Sequence, residues 1–196
     1  MPDGDNRERL FRRACLPENH WDCRLSEIPD HAKYKSFVVE YTSNITDHIH
    51  SGKGLYLFGD YGTGKTGIAA IICKAALNKG ILPLWIAAEK IPEYMCEDVY
   101  FDSDILMKDR LFDVPLLIID DLRLREQVNL KSDWIERWLE SVIRRRRDEL
   151  KATIITSNDN PAKLAKLKAV YAICCEAVEF VEIKGVQFRP DSPKKN

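Results

Sequence analysis

Gly59-Asp60-Tyr61-Gly62-Thr63-Gly64-Lys65-Thr66 satisfies the pattern G-x-x-x-x-G-K-[ST] at every position, and its flanks decide the fold. Leu55-Tyr56-Leu57-Phe58 before it is an apolar run of strand length, and Gly67-Ile68-Ala69-Ala70-Ile71-Ile72 after it opens a helical pattern. Strand, glycine loop and helix in that order make a phosphate-binding loop. Glycines let the backbone curl so that successive N–H groups point inward, and the helix brings its positive end to the same place. Gly59, Asp60, Tyr61, Gly62, Thr63, Gly64 and Gly67 would form the cradle. Lys65 would reach the β- and γ-phosphates, and the Thr66 hydroxyl would ligate Mg²⁺. The pattern implies a nucleoside triphosphate as ligand.

Outward from the loop, helical and strand periods alternate. Tyr34, Phe37, Val38, Tyr41, Ile45 and Ile49 recur at three- and four-residue steps, which predicts a helix over residues 30–50, stopped by Ser51-Gly52-Lys53-Gly54. A helix over 65–79 ends at Gly80, and a strand follows over 83–88. The acidic stretch 91–113 predicts one or two short helices with a solvated face. Leu116-Leu117-Ile118-Ile119 is wholly apolar, as a central parallel strand buried on both faces must be. A long helix with the stripe Ile135, Trp138, Leu139, Val142 and Ile143 starts near Asp133, where Asp133 and Glu136 suggest a capping box. A strand over 153–156, a helix over 161–169 and a last strand over 178–183 complete the pattern. Five strands alternating with helices predict a mainly parallel sheet covered on both faces.

The 196 residues suit one ordinary domain with at most a short extension, and the 30 basic against 31 acidic side chains argue against a wholly basic nucleic-acid surface. A basic helix and linker over 1–29, a nucleotide-binding domain over 30–189 and a disordered tail over 190–196 are the expected parts. Cys15, Cys23, Cys73, Cys96, Cys174 and Cys175 have no C-x-x-C spacing and combine with no histidine in a zinc pattern. Free thiols in a reducing cytoplasm are expected. No signal-peptide core or membrane-length apolar run occurs, so an intracellular protein without membrane contact is expected.

The candidate chemistry lies at the strand ends, because ligands of a parallel sheet bind outside the carboxyl ends of its strands. Asp120-Asp121 ends the most apolar strand. Asp120 would hold Mg²⁺ opposite Thr66, and Asp121 would act as general base on the water attacking the γ-phosphate. Asn158, ending Ile154-Ile155-Thr156-Ser157-Asn158, would orient that water or sense the γ-phosphate without adding charge. A small-molecule kinase sharing the loop would call for a substrate lid and catalytic arginines, and the Asp-Asp pair counts against it. Arg144-Arg145-Arg146-Arg147 closes the long helix. It suits the helix C-terminus, or alternatively phosphate contacts to DNA or a charge offered across an interface. Arg123, Arg125 and Lys131 form a second candidate DNA contact.

The loop, Leu117-Ile118-Ile119-Asp120-Asp121-Leu122 and Ile154-Ile155-Thr156-Ser157-Asn158 resemble Walker A, Walker B and sensor 1 of AAA+ ATPases. The aspartate pair, the Thr-Ser-Asn strand and Val181-Glu182-Ile183-Lys184-Gly185-Val186-Gln187-Phe188-Arg189 resemble the DnaC/IstB branch of helicase loaders and transposition helpers. Arg12-Arg13-Ala14-Cys15-Leu16-Pro17 and residues 25–28 resemble the segment leading into its ATPase domain. The resemblance covers roughly residues 10–189. It implies a P-loop NTPase of AAA+/ASCE type, a three-layer αβα sandwich with no full lid domain. It further implies ATP binding and hydrolysis with Mg²⁺, homo-oligomers with ATP at subunit interfaces, and contact with single-stranded DNA and a replicative ring helicase. A transposase is the partner in the IstB-like alternative, and a nucleotide-gated adaptor with little hydrolysis is another. Three departures stand out. There is no arginine between Asn158 and Arg189, where the family offers one to the neighbour's ATP. Arg123 replaces the glycine that often follows the aspartate pair. Little precedes residue 10, so a counterpart of the helicase-binding domain of many loaders is not expected.

Overall fold

The computed structural model describes residues 4–96, 98–102, 105–124 and 130–184. The tail at 190–196, residues 185–189 and Arg125 lie outside the described residues, as do the side chains of Lys131, Asp133, Trp134, Ile135 and Glu136. In chain order the elements begin with α1 (Gly4–Arg13), α2 (Lys35–Ser43), α3 (Ile45–His50), β1 (Gly54–Phe58), α4 (Lys65–Asn78) and β2 (Leu84–Ala87). Next come α5 (Ile91–Cys96), β3 (Tyr100–Asp102), β4 (Ile105–Leu106), α6 (Met107–Asp113) and β5 (Leu116–Leu122). The chain ends in α7 (Leu130–Asp148), β6 (Ala152–Ser157), α8 (Pro161–Leu164), α9 (Lys168–Ala177) and β7 (Val178–Glu182). Short 3-10 turns occur at Glu18–His20, Leu25–Glu27 and Ala88–Lys90.

The 5-stranded sheet has the order β2-β5-β6-β1-β7, and each adjacent pair is parallel. Side chains of a strand alternate between faces, so one face presents Leu55, Leu57, Ile118 and Ile154 to α2, α3 and α4. The other presents Tyr56, Leu117, Ile119 and Ile155 to α5, α6, α7 and α9. That is the expected three-layer sandwich. β6 separates β1 from β5, so the strand ending in Asn158 runs between the phosphate loop and the aspartate pair.

The segment before α2 belongs to the first of these cores. Phe11, Ala14, Leu16 and Ile28 are buried in it, and the Trp85 N–H donates to the Ala14 carbonyl (2.8 Å). The helix expected over 30–50 is two helices broken at Asn44, whose side-chain amide donates to the Glu40 carbonyl (3.3 Å) and carboxylate (3.0 Å). An Asn that bonds locally in this way competes with helix propagation. The single helix expected over 161–169 is a short α8 followed by α9, whose Val170, Ile173 and Cys174 are buried. Within 91–113 the two short helices flank an antiparallel β3–β4 pair that no sequence pattern announced.

Arg146 settles part of the reading of the arginine run. It is 0% exposed. Its guanidinium donates to the carbonyls of Leu111 (2.9 Å), Phe112 (3.3 Å), Val114 (2.9 Å) and Ala152 (2.7 Å) and to the Thr153 hydroxyl (3.0 Å). Three of those carbonyls lie at the C-terminal end of α6, where a helix leaves carbonyls without partners and favours a cation. Arg146 therefore caps a helix, though not its own, and it faces neither DNA nor a neighbouring subunit. Arg144, Arg145 and Arg147 pair with Glu140, Glu149 and Asp148 respectively.

Candidate nucleotide site

β1 delivers the chain into the loop at Gly59, whose φ is 146°. The Ile183 N–H donates to the Phe58 carbonyl (2.7 Å), bringing the end of β7 so close that a Cβ on Gly59 would lie 2.3 Å from the Ile183 carbonyl oxygen. Glycine is thus required there by space as well as by conformation. Gly62 and Gly64 also have positive φ, 79° and 92°, and Gly64 is the N-terminal cap of α4. The Thr63 hydroxyl donates to the Asp60 carbonyl (2.9 Å) and ties the turn together.

Lys65 is 7% exposed, and its ammonium donates to the loop's own carbonyls at Gly59 (2.8 Å) and Asp60 (2.7 Å). Burial pulls its pKa below the usual lysine value, opposed by the charges of Asp60, Asp121 and Asp120. The amine stands inside the loop on weak neutral acceptors, which a phosphate oxygen would outcompete.

Thr66 and Asp120, 54 residues apart in sequence, meet: the Thr66 hydroxyl donates to Asp120 Oδ1 (3.1 Å). The residue that sequence reasoning missed is Thr156. Its hydroxyl donates to the same Oδ1 (2.5 Å) and accepts the Asp121 N–H (2.9 Å). The β5–β6 register slips between Ile119 and Leu122, and Asp121 adopts φ 57°. One β6 hydroxyl thereby substitutes for the ladder and holds both aspartates at the carboxyl end of β5. Burial raises the Asp120 pKa, against the lowering effect of the Thr156 and Thr66 hydrogen bonds. The carboxylate has less water than it needs, and a cation would relieve it. A hydroxyl and a carboxylate are hard oxygen donors that fit Mg²⁺, which usually takes one or two protein oxygens and completes its shell with water and phosphate. No group of three or more His, Cys, Asp or Glu able to hold a metal occurs among the described residues.

Asp121 accepts two N–H bonds from Arg123, at 3.0 and 2.5 Å, both on Oδ2. Asn158 is fixed between pinned neighbours. The Ser157 hydroxyl donates to the Leu122 carbonyl (2.7 Å), and Asp159 accepts the Leu124 N–H (2.7 Å).

A cavity of about 470 Å³ opens over these groups, within the range of small-molecule sites. Tyr61, Gly62, Gly64, Lys65, Thr66, Asp120, Asp121 and Asn158 line it. His20, Cys23, Arg24, Glu27 and Ile28 of the N-terminal segment form another wall of it, and of these only Glu27 and Ile28 fall in a stretch that the sequence singled out. Lys74 of α4 secures it. Its ammonium donates to the carbonyls of His20 (3.4 Å), Trp21 (3.0 Å) and Cys23. The His20 ring also stacks on Trp85 of β2. The six cysteines are free thiols. No helix among the described residues is long and apolar enough to cross a membrane.

By sheet order, layers and loop, this chain has the fold of a P-loop AAA+ protein. No family model matches it. It is 27% identical over 172 residues to the replicative helicase loader DnaC of Escherichia coli strain K12, covering 82% of this chain and 65% of that one. It is 27% identical over 130 residues to the replicative helicase loader DnaI of Bacillus subtilis strain 168, covering 62% and 40%. The chain thus spans less than two thirds of the length of these curated relatives. The crystal structure of the DnaC helicase loader superposes with a TM-score of 0.71 at 24% identity, covering 86% of this chain and 100% of that one. The crystal structure of DnaI gives 0.71 at 21% identity, covering 89% and 94%. AMPPCP-bound DnaA from Aquifex aeolicus gives 0.61 at 19% identity, covering 83% and 50%. The resemblance to helicase-loader AAA+ proteins read from the motifs is borne out.

Proposed function

We propose that this chain binds ATP with Mg²⁺ in the cavity over residues 59–66, hydrolyses it, and acts in DNA replication as a DnaC-like loader of a replicative ring helicase. The observation that carries the nucleotide half is the meeting of Thr66 and Asp120 beside a buried lysine amine (3.1 Å between the two oxygens). The loader half is supported by the relatives, whose names give helicase loading as their work.

In this reading Lys65 leaves the Gly59 and Asp60 carbonyls for phosphate oxygens, and the loop amides take the rest. Thr66 and Asp120 would hold Mg²⁺, which when bound would neutralise charge on the phosphates. Asp121 takes a proton from the attacking water as its oxygen bonds to the γ-phosphorus and the bond to the β-phosphate oxygen breaks. Asn158 orients that water. Homo-oligomers with ATP between subunits, and contact with single-stranded DNA, are part of the same proposal. An arginine finger can be worth roughly a thousandfold or more in rate. Between Asn158 and Arg189 there is none, only lysines such as Lys163, Lys166 and Lys168. Turnover is therefore slow alone and rises with a partner. The same observation favours a second reading, a nucleotide-gated adaptor that holds ATP and scarcely hydrolyses it.

ATP turnover and nucleotide binding, measured with and without single-stranded DNA and the replicative helicase, test the proposal. Lys65→Ala abolishes nucleotide binding, while Asp121→Asn binds ATP and loses turnover. Normal hydrolysis by Asp121→Asn refutes the assignment of the base. Turnover stimulated by helicase supports the loader, and binding without turnover under every condition supports the adaptor.

A further inference from the structure

Arg123 stands where the resembled family often carries glycine, and its position is unlike that of a loose surface arginine. The chain is pinned on both sides of it. Leu122 is buried at the end of β5, with its carbonyl accepting the Ser157 hydroxyl (2.7 Å), and the Leu124 N–H is held by Asp159 (2.7 Å). The side chain itself is 65% exposed, and Asp121 holds its guanidinium. It lines the same cavity as Lys65, Thr66, Asp121 and Asn158. Both of its bonds to Asp121 fall on one oxygen, Oδ2.

That contact has a consequence for a bound polyphosphate. A bare carboxylate at Asp121 would repel a terminal phosphate, and Arg123 cancels that charge. Guanidinium binds phosphate at least as well as carboxylate, through the same planar pair of N–H donors. A nucleotide whose chain reaches past Lys65 and Thr66 brings its last phosphate toward Asp121 and competes for the guanidinium. A chain one phosphate shorter leaves the pair undisturbed.

Resting on the nucleotide reading above, we propose that Arg123 is the residue by which this chain distinguishes a nucleoside triphosphate from a diphosphate. Its guanidinium exchanges Asp121 Oδ2 for an oxygen of the terminal phosphate, and the exchange frees the Asp121 carboxylate for the attacking water. Glycine at this position could do neither.

The test titrates fluorescent ADP and a fluorescent non-hydrolysable ATP analogue, each with Mg²⁺, into the parent protein, Arg123→Ala and Arg123→Lys. Thermal melts establish that the exposed substitutions leave the fold intact. Loss of one charge-assisted phosphate contact weakens triphosphate binding by about tenfold or more in Arg123→Ala. ADP binding stays within about twofold, and Arg123→Lys recovers part of the difference. Asp121→Asn, which releases the guanidinium beforehand, raises triphosphate affinity more in the parent than in the Arg123→Ala background. An unchanged triphosphate-to-diphosphate ratio in Arg123→Ala, or equal effects of Asp121→Asn in both backgrounds, overturns the proposal and leaves the nucleotide site standing. A parent protein that binds neither nucleotide removes both.

Discussion

Replacing Arg146 by methionine isolates what a buried cation does for this fold. Methionine keeps an unbranched apolar stem but provides no donor. The Leu111, Val114 and Ala152 carbonyls, held at 2.9, 2.9 and 2.7 Å, are left in a site with no exposure to water. A buried acceptor without a partner costs about 1–3 kcal/mol, so three of them cost about 3–9 kcal/mol. Relief of the buried charge offsets part of this, since burial holds the Arg146 pKa well below the usual arginine value. A net loss of about 4 kcal/mol follows, a large share of the stability of an ordinary domain. With a urea slope of about 2 kcal/mol/M, the unfolding midpoint falls by about 2 M. Arg146→Lys, with three donors in a different geometry, recovers less than half. Urea unfolding followed by circular dichroism measures the change, and nucleotide titration of the folded variant matches the parent because Arg146 does not line the cavity. A loss below about 1 kcal/mol would mean that α6 and the start of β6 satisfy their carbonyls without this residue, and the capping argument would fail.

Two further predictions concern the cavity. Lys74→Met removes the donor holding the His20, Trp21 and Cys23 carbonyls. Nucleotide affinity then falls by about tenfold, the order of one lost charged hydrogen bond. Equal affinity in a fluorescence titration would show that the wall stands without the lysine. Asp120→Asn carries a pH signature. Burial sets the folded pKa of Asp120 above the ordinary carboxylate value of 3.8. The ionised form therefore destabilises the folded state, fully above the folded pKa and not at all below the unfolded one. Asparagine can still accept the Thr66 and Thr156 hydroxyls, so the variant without nucleotide or metal melts higher than the parent at neutral pH. Its advantage shrinks as the pH falls. Thermal melts between roughly pH 7 and 4 check the sign, and an advantage that grows toward acid refutes it.

Local patterns made much of this molecule legible. The glycine loop, the apolar run before Asp120 and the strand ending in Asn158 each announce themselves within eight residues, because loop conformation and strand burial impose short-range demands on residue type. The helix expected over 30–50 failed at Asn44, where a side-chain hydrogen bond replaced propagation and left the apolar spacing intact. The helix α9 was curtailed in the reading because Pro161 gave a start signal and nothing marked the break before Lys168.

By itself the sequence determined the phosphate loop, the alternating order of strands and helices, and the residue types at the strand ends. Each depends on neighbours along the chain. Tertiary structure decided which strand lies between the loop and the aspartates, that Thr156 holds both acids, that the N-terminal segment walls the cavity, and that Arg146 turns inward while Arg123 takes Asp121. Those contacts join residues such as Thr66 and Asp120, 54 positions apart. A threonine or arginine that meets its partner through the fold carries no local spacing by which it can be recognised beforehand.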